Sequence, residues 1–89
     1  MRHPAFTTQL KRDLKLMLRR GHDEEKFKEA ARKLIQGVVL EAPYRNHKLQ
    51  GSFKGRWECH LAPDWLLVYK LEGDCIIFER MGTHADLFE

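Results

Sequence analysis

The sequence predicts an α+β domain in which an N-terminal antiparallel helical hairpin packs on a small, mainly antiparallel β-sheet. Two observations carry this. The first 38 residues hold two amphipathic stretches, each with its own cap and stop signals. The last 37 residues hold three β-rich runs, 53–61, 65–71 and 75–81, separated by two tight turns. At 89 residues the chain is a single domain, 1–89. Such a chain buries roughly 60–65% of its unfolded surface, so one modest core is expected.

Residues 3–7 can form a short first strand. Pro4 donates no ladder bond, which restricts it to an edge or a strand start. Thr7 or Thr8 can cap a helix running to about Arg20. Leu10, Leu14, Met17 and Leu18 then recur at i, i+4, i+7 and i+8 as one apolar stripe. Gly21 ends it as a left-handed residue. Asp23 caps the second helix, and Glu24 and Glu25 complement the dipole in its first turn. Its buried face is Phe27, Ala30, Ala31, Leu34, Ile35 and Val38, and Gly37 stops it. The short Gly21-His22 connection makes the helices antiparallel neighbours.

Residues 39–52 read as loop, punctuated by Pro43, Asn46 and Gly51. The run 53–61 alternates at its end: Trp57, Cys59 and Leu61 on one face, Arg56, Glu58 and His60 on the other. Pro63-Asp64 is a turn signal, because proline presets φ near −65° and aspartate bonds to nearby backbone. Run 65–71 is almost wholly apolar, as suits a central strand covered on both faces. Glu72-Gly73-Asp74 makes the second turn.

Composition excludes several classes. A 43% hydrophobic and 33% charged chain is globular rather than disordered. No apolar run approaches the roughly 18–20 residues that span a bilayer, and the N-terminus lacks the apolar core of a signal peptide. The expected compartment is the cytosol, with no membrane partner, and Cys59 and Cys75 are expected as free thiols. The net charge of +3 is uneven. Residues 1–33 hold ten Lys/Arg against five Asp/Glu, and 34–89 hold six against eight. Within the second part, Arg45, Lys48, Lys54 and Arg56 form an acid-free basic segment just before His60. It reads either as a contact for an anionic partner, nucleic acid first among them, or as a solvated loop.

Five histidines raise the question of a metal. Neither His-Glu-x-x-His nor Cys-x-x-Cys is present, and Cys59 and His60 point to opposite strand faces. A zinc site from His47, His60 and His84 is the surviving metal reading, but the reading adopted has no metal and no cofactor. Covalent catalysis lacks a nucleophile: Cys59 faces the core, and Ser52 is the only serine. Acid–base chemistry fits better. The meander should bring His60, Asp64, Trp65, Arg80 and the tail carrying His84 to one side of the sheet. Imidazoles titrate near neutrality, Arg80 can hold a phosphate, and Trp65 or Phe88 can stack a base. RNA supplies its own nucleophile, the 2′-OH. One conflict stands: Arg80 shares strand parity with the core residues Ile76 and Phe78, so a bulge near Met81-Gly82 or a thin functional face is required.

Three runs then carry a resemblance: His47-Lys48-Leu49-Gln50-Gly51-Ser52-Phe53-Lys54-Gly55, Cys59 to Lys70, and Phe78 to Phe88. Together, H-x-L-x-G, H-x-x-P-D-W and R-x-G-T-H-x-x-L-F resemble the YafQ-like branch of the RelE toxin superfamily, the toxin halves of bacterial type II toxin–antitoxin pairs. Phe53 stands where a tryptophan is expected.

The resemblance implies a RelE-like fold and an endoribonuclease that cuts mRNA in the ribosomal A site, leaving a 2′,3′-cyclic phosphate. It implies a cognate antitoxin and operator DNA bound only through the toxin–antitoxin complex. It carries over His47, His60, Asp64, Arg80 and His84 as catalytic positions, with Trp65 and Phe88 as accessory aromatics. In the roles assigned on that basis, His47 or Asp64 helps take the 2′-OH proton, His84 protonates the leaving oxygen, and His60 and Arg80 stabilise the phosphate. The rival reading is a noncatalytic module that binds RNA or joins an antitoxin in repression.

Overall fold

The computed structural model describes residues 1–51 and 55–88. Lys54 and the expected start of a strand at Phe53 lie outside the described residues.

Strand β1 is His3–Phe6, and helix α1 is Thr8–Arg19. Thr7 caps α1, its side-chain oxygen accepting from the Leu10 N–H at 3.0 Å. Helix α2 is Glu24–Gln36, capped by Asp23 and closed by Gly37 in the left-handed region at φ 77°. A 3₁₀ turn follows at Ala42–Tyr44. Strands β2 (His47–Lys48), β3 (Arg56–Ala62), β4 (Trp65–Glu72) and β5 (Cys75–Gly82) come next, and a short helix α3, His84–Phe88, ends the described chain.

The sheet order is β1-β5-β4-β3-β2. β2, β3, β4 and β5 each run antiparallel to their neighbours, whereas β1 pairs parallel with β5 at the edge where Pro4 is tolerated. Two expectations need correction. The stretch 39–52 is not loop throughout, because His47 and Lys48 pair with Glu58 and Trp57. Val38 is exposed, because the chain has left α2 at Gly37 before reaching it.

The core forms where α1 and α2 meet one face of the sheet. Trp65, Leu67, Tyr69, Ile76, Phe78 and Met81 come from the strands; Leu10, Met17, Phe27, Ala30 and Leu34 come from the helices. Ala30 is fully buried, so its small side chain lets α2 approach closely. Leu66 and Val68 are also buried, on the opposite face, so β4 is covered on both sides as its apolar run predicts.

The parity conflict at Arg80 has a definite resolution. Val68 pairs with Arg80 while Tyr69 pairs with Phe78, so Glu79 is an extra residue and the bulge sits one turn of the ladder earlier than Met81-Gly82. The bulge places Glu79 and Arg80 on the Val68 face and returns Met81 to the core. Beyond Phe78, β5 no longer has β1 beside it, and α1 takes over that edge. The Thr7 hydroxyl donates to the Glu79 carbonyl at 2.8 Å, and the Met81 N–H donates to Asp13 at 3.1 Å.

Candidate active site on the face opposite the helices

Register alone assembles most of the site. Residues paired across strands share a face, so His47, Glu58, Val68 and Arg80 form one row across the sheet. His60, Leu66 and Gly82 form the next. The site is thus built on strands, which fix side chains better than loops do.

The His47–Glu58–His60 group lies at the β2–β3 end. Glu58 is buried, and its Oε1 lies 3.5 Å from His47 Nε2 and 3.6 Å from His60 Nε2. One carboxylate therefore faces two imidazoles. His47 Nδ1 is 2.7 Å from the Arg45 carbonyl. A carbonyl only accepts, so Nδ1 carries the proton and Nε2 is the nitrogen turned toward Glu58. Arg45 can offer that carbonyl because it takes up a left-handed backbone, φ 50°, at the end of the 3₁₀ turn. Asn46 is tied down in turn: the Tyr69 hydroxyl donates to its Oδ1 at 2.6 Å. Burial raises the Tyr69 phenol well above its ordinary pKa, which keeps it a donor at any working pH. Glu58 is the residue that the sequence reading placed on the right face without giving it a role.

The second group lies where the β3–β4 turn meets α3. Asp64 Oδ1 accepts the His84 backbone N–H at 3.1 Å and sits 2.9 Å from its Nδ1. The His84 side chain first, and its backbone N–H second, hold the Asp64 carboxyl below the usual carboxylate range. The ionised carboxylate only accepts, so His84 carries a proton on Nδ1 and leaves Nε2 to exchange protons. The His60 and His84 rings stand 6.0 Å apart, and His84 and Phe88 6.3 Å. The two groups thus meet at His60 and His84.

Helix α3 is fixed from three sides. The Thr83 N–H donates to Asp86 and the Asp86 N–H to Thr83 Oγ1, a reciprocal capping box. Arg20 at the end of α1 donates to Asp86 at 2.8 Å and holds its carboxyl at about 2. Gly82 permits the approach, since a Cβ there would lie 2.8 Å from Asp86 Cβ.

Arg80 is in the same row as His47 and Glu58, but its Nε donates to Asp13 of α1 at 2.9 Å and its Nη2 at 3.4 Å. Arg56 is likewise engaged, by Glu79 at 2.6 Å. Lys48 lies over the Trp57 ring at 5.5 Å, and Arg45 and Lys48 are exposed. Trp65 requires a correction. It is 0% exposed, packed in the core with the His22 ring 4.8 Å away, and no base can stack on it. Strand alternation sends Trp65 to the helix side while Asp64 stays in the turn. Cys59 is fully buried, and burial pushes its thiol up to about 12, so it is not a nucleophile. Among the described residues, no group of three His, Cys, Asp or Glu side chains is placed to hold a metal ion.

Paired imidazoles and carboxylates on a small α+β scaffold supply the proton donors and acceptors that acid–base chemistry needs. A family model described as the bacterial toxin of type II toxin–antitoxin system, YafQ, matches residues 2–89, and the chain belongs to that family. It is 44% identical over 84 residues to the mRNA interferase toxin YafQ of Escherichia coli, covering 93% of this chain and 91% of that one. A crystal structure of E. coli YafQ superposes with a TM-score of 0.94 at 40% identity, with both chains covered completely. The E. coli DinJ–YafQ toxin–antitoxin complex superposes at 0.91 with 43% identity, covering 99% of this chain and 98% of that one.

Proposed function

We propose that this toxin is an endoribonuclease that cuts mRNA in the ribosomal A site by metal-independent acid–base chemistry. The observation that carries the reading is the pairing of each outer histidine with a carboxylate, Glu58 beside His47 and Asp64 beside His84, with His60 between them. The 2′-oxygen attacks phosphorus as its proton passes to Nε2 of His47. The P–O5′ bond breaks as His84, entering the step as the imidazolium, gives its Nε2 proton to the leaving oxygen and is left neutral with Nδ1–H on Asp64; a 2′,3′-cyclic phosphate remains. In this assignment Asp64 orients His84 rather than acting as the base. His60 and Arg80 stabilise the charge gathered on the phosphate. The exposed Arg45 and Lys48 contact RNA backbone, and Phe88 supports a base; Arg56 contributes only if its Glu79 partner is shared.

A cognate antitoxin restrains the enzyme in the bacterial cytoplasm, and operator DNA is engaged only through that complex. Among the described residues, no helix is long and apolar enough to cross a membrane.

The test is cleavage of a defined mRNA by the purified chain, with and without ribosomes and with and without EDTA. The reading expects ribosome-stimulated cleavage, chelator resistance and 2′,3′-cyclic phosphate ends. Loss of activity in EDTA, or 3′-hydroxyl ends, would overturn the chemistry. Equal cleavage of free RNA would overturn the ribosome requirement.

A further inference from the structure

We infer that Asp13 is a positioning residue for RNA cleavage, holding the Arg80 guanidinium so that its outer N–H groups face the scissile phosphate. The inference rests on the reading of Arg80 as the phosphate clamp.

The geometry is specific. Asp13 lies in α1, 67 positions from Arg80, and is 7% exposed, one of two charged or polar residues so deeply buried among those described. One carboxylate does two jobs there. Oδ2 accepts from Arg80 Nε at 2.9 Å and from the Met81 backbone N–H at 3.1 Å, while Oδ1 accepts from Gln9 Nε2 at 2.9 Å and faces Arg80 Nη2 at 3.4 Å. The contact approaches the guanidinium from its Nε side. Of five N–H donors, two are engaged; the two on Nη1 and one on Nη2 are left. Those form the end-on edge that suits a bidentate phosphate. The Arg80 side chain is 40% exposed where Asp13 is 8%, so the engaged edge is inside and the other faces solvent.

The same carboxylate shapes the backbone that carries Arg80. At the Glu79 bulge the ladder to β4 is disturbed, and β1 no longer covers the far edge. Thr7 and Asp13 fill that edge, so α1 fixes both the strand path and the side-chain direction. An arginine on an unsupported bulge would sample many rotamers, and a misplacement of about 1 Å can cost roughly 10²-fold in rate.

Charge and orientation pull apart here, which gives a distinguishing readout. The Asp13 carboxylate offsets part of the Arg80 charge while fixing its direction. Asp13→Asn keeps the shape but loses the charge and one acceptor pattern. We expect kcat on mRNA-programmed ribosomes to fall roughly 10- to 100-fold, with KM unchanged or lower. In an Arg80→Ala background the same substitution should add no further loss. A merely structural role would reduce the folded fraction and would act equally in both backgrounds. Thermal unfolding verifies folding; if Asp13→Asn does not fold, Asp13→Glu keeps the charge, displaces the oxygens by one methylene and enters the same cycle. Unchanged kcat, or equal losses with and without Arg80, overturns the inference. Full activity of Arg80→Ala instead overturns the clamp reading itself, whereas slow Arg80→Ala beside full-rate Asp13→Asn removes only the role of Asp13.

Discussion

A single oxygen, Oδ1 of Asp64, meets both the backbone N–H and the ring Nδ1 of His84, at 3.1 and 2.9 Å. The β3–β4 turn thereby starts α3 and sets the imidazole tautomer at once. If Asp64 works only through His84, the two should behave as a unit. His84→Ala should lower cleavage by roughly 10²–10⁴-fold. Asp64→Asn should fall within that loss, and the double variant should be no slower than His84→Ala alone. Single-turnover cleavage of ribosome-bound mRNA measures this. Losses that multiply in the double variant would give Asp64 an independent role, as the base that takes the 2′-OH proton.

Glu58 makes a second prediction. Its carboxylate is buried between His47 and His60 and supports positive charge on either ring as protons move. Glu58→Gln preserves volume and removes the charge. Cleavage should fall by roughly 10²-fold, with little change in thermal stability, because both rings remain partly solvated. An unchanged rate in the folded variant would reduce Glu58 to a packing residue.

The contrast between Glu58 and Arg80 shows what the sequence could carry. Caps such as Thr7, Asp23 and Gly37 are local chemistry, so both long helices were legible with their ends. Alternation along 56–61 put Glu58 and His60 on one face, but burial depends on β2, a two-residue strand with too little pattern of its own to be read. Arg80 needed a bulge, and a bulge is settled by what lies beside the strand, here Thr7 and Asp13 from the other end of the chain. Trp65 was misplaced for a related reason: its neighbours are apolar on both faces of β4, so alternation gave no contrast. The capping box Thr83 to Asp86 is a local signal for α3 that the sequence reading leaves unused.

Gly82→Ala tests the close packing of that helix. Unlike the turn glycines, Gly82 is not in a left-handed conformation; its constraint is space. The new Cβ would lie 2.8 Å from Asp86 Cβ, which belongs to the helix itself and cannot swing aside. Helix α3 must shift, carrying His84 away from Asp64. We expect a destabilisation of about 1–3 kcal/mol in urea unfolding and a cleavage loss approaching that of His84→Ala. Wild-type cleavage by Gly82→Ala would mean that α3 tolerates displacement without disturbing the site.

Acid should release the same helix. Asp86 is held at about 2 by Arg20, and by the Thr83 N–H, whereas an aspartate in the unfolded chain titrates near ~3.9. A carboxyl whose folded value is depressed contributes stability in full above its unfolded value and loses it as pH falls through the folded one. The Asp86 contribution is therefore complete at neutral pH and disappears between about pH 4 and pH 2. Asp64 is lowered too, chiefly by the His84 side chain, so its contribution is lost in the same direction. Thermal unfolding across a pH series should show the wild type more stable than Asp86→Asn above pH 5, with the gap closing toward pH 2. Arg20→Gln should behave like Asp86→Asn above pH 5 and add nothing to it in the double variant, since the two side chains form one contact. A gap that stays constant through the acid range would mean that the Asp86 carboxylate charge contributes nothing to docking α3.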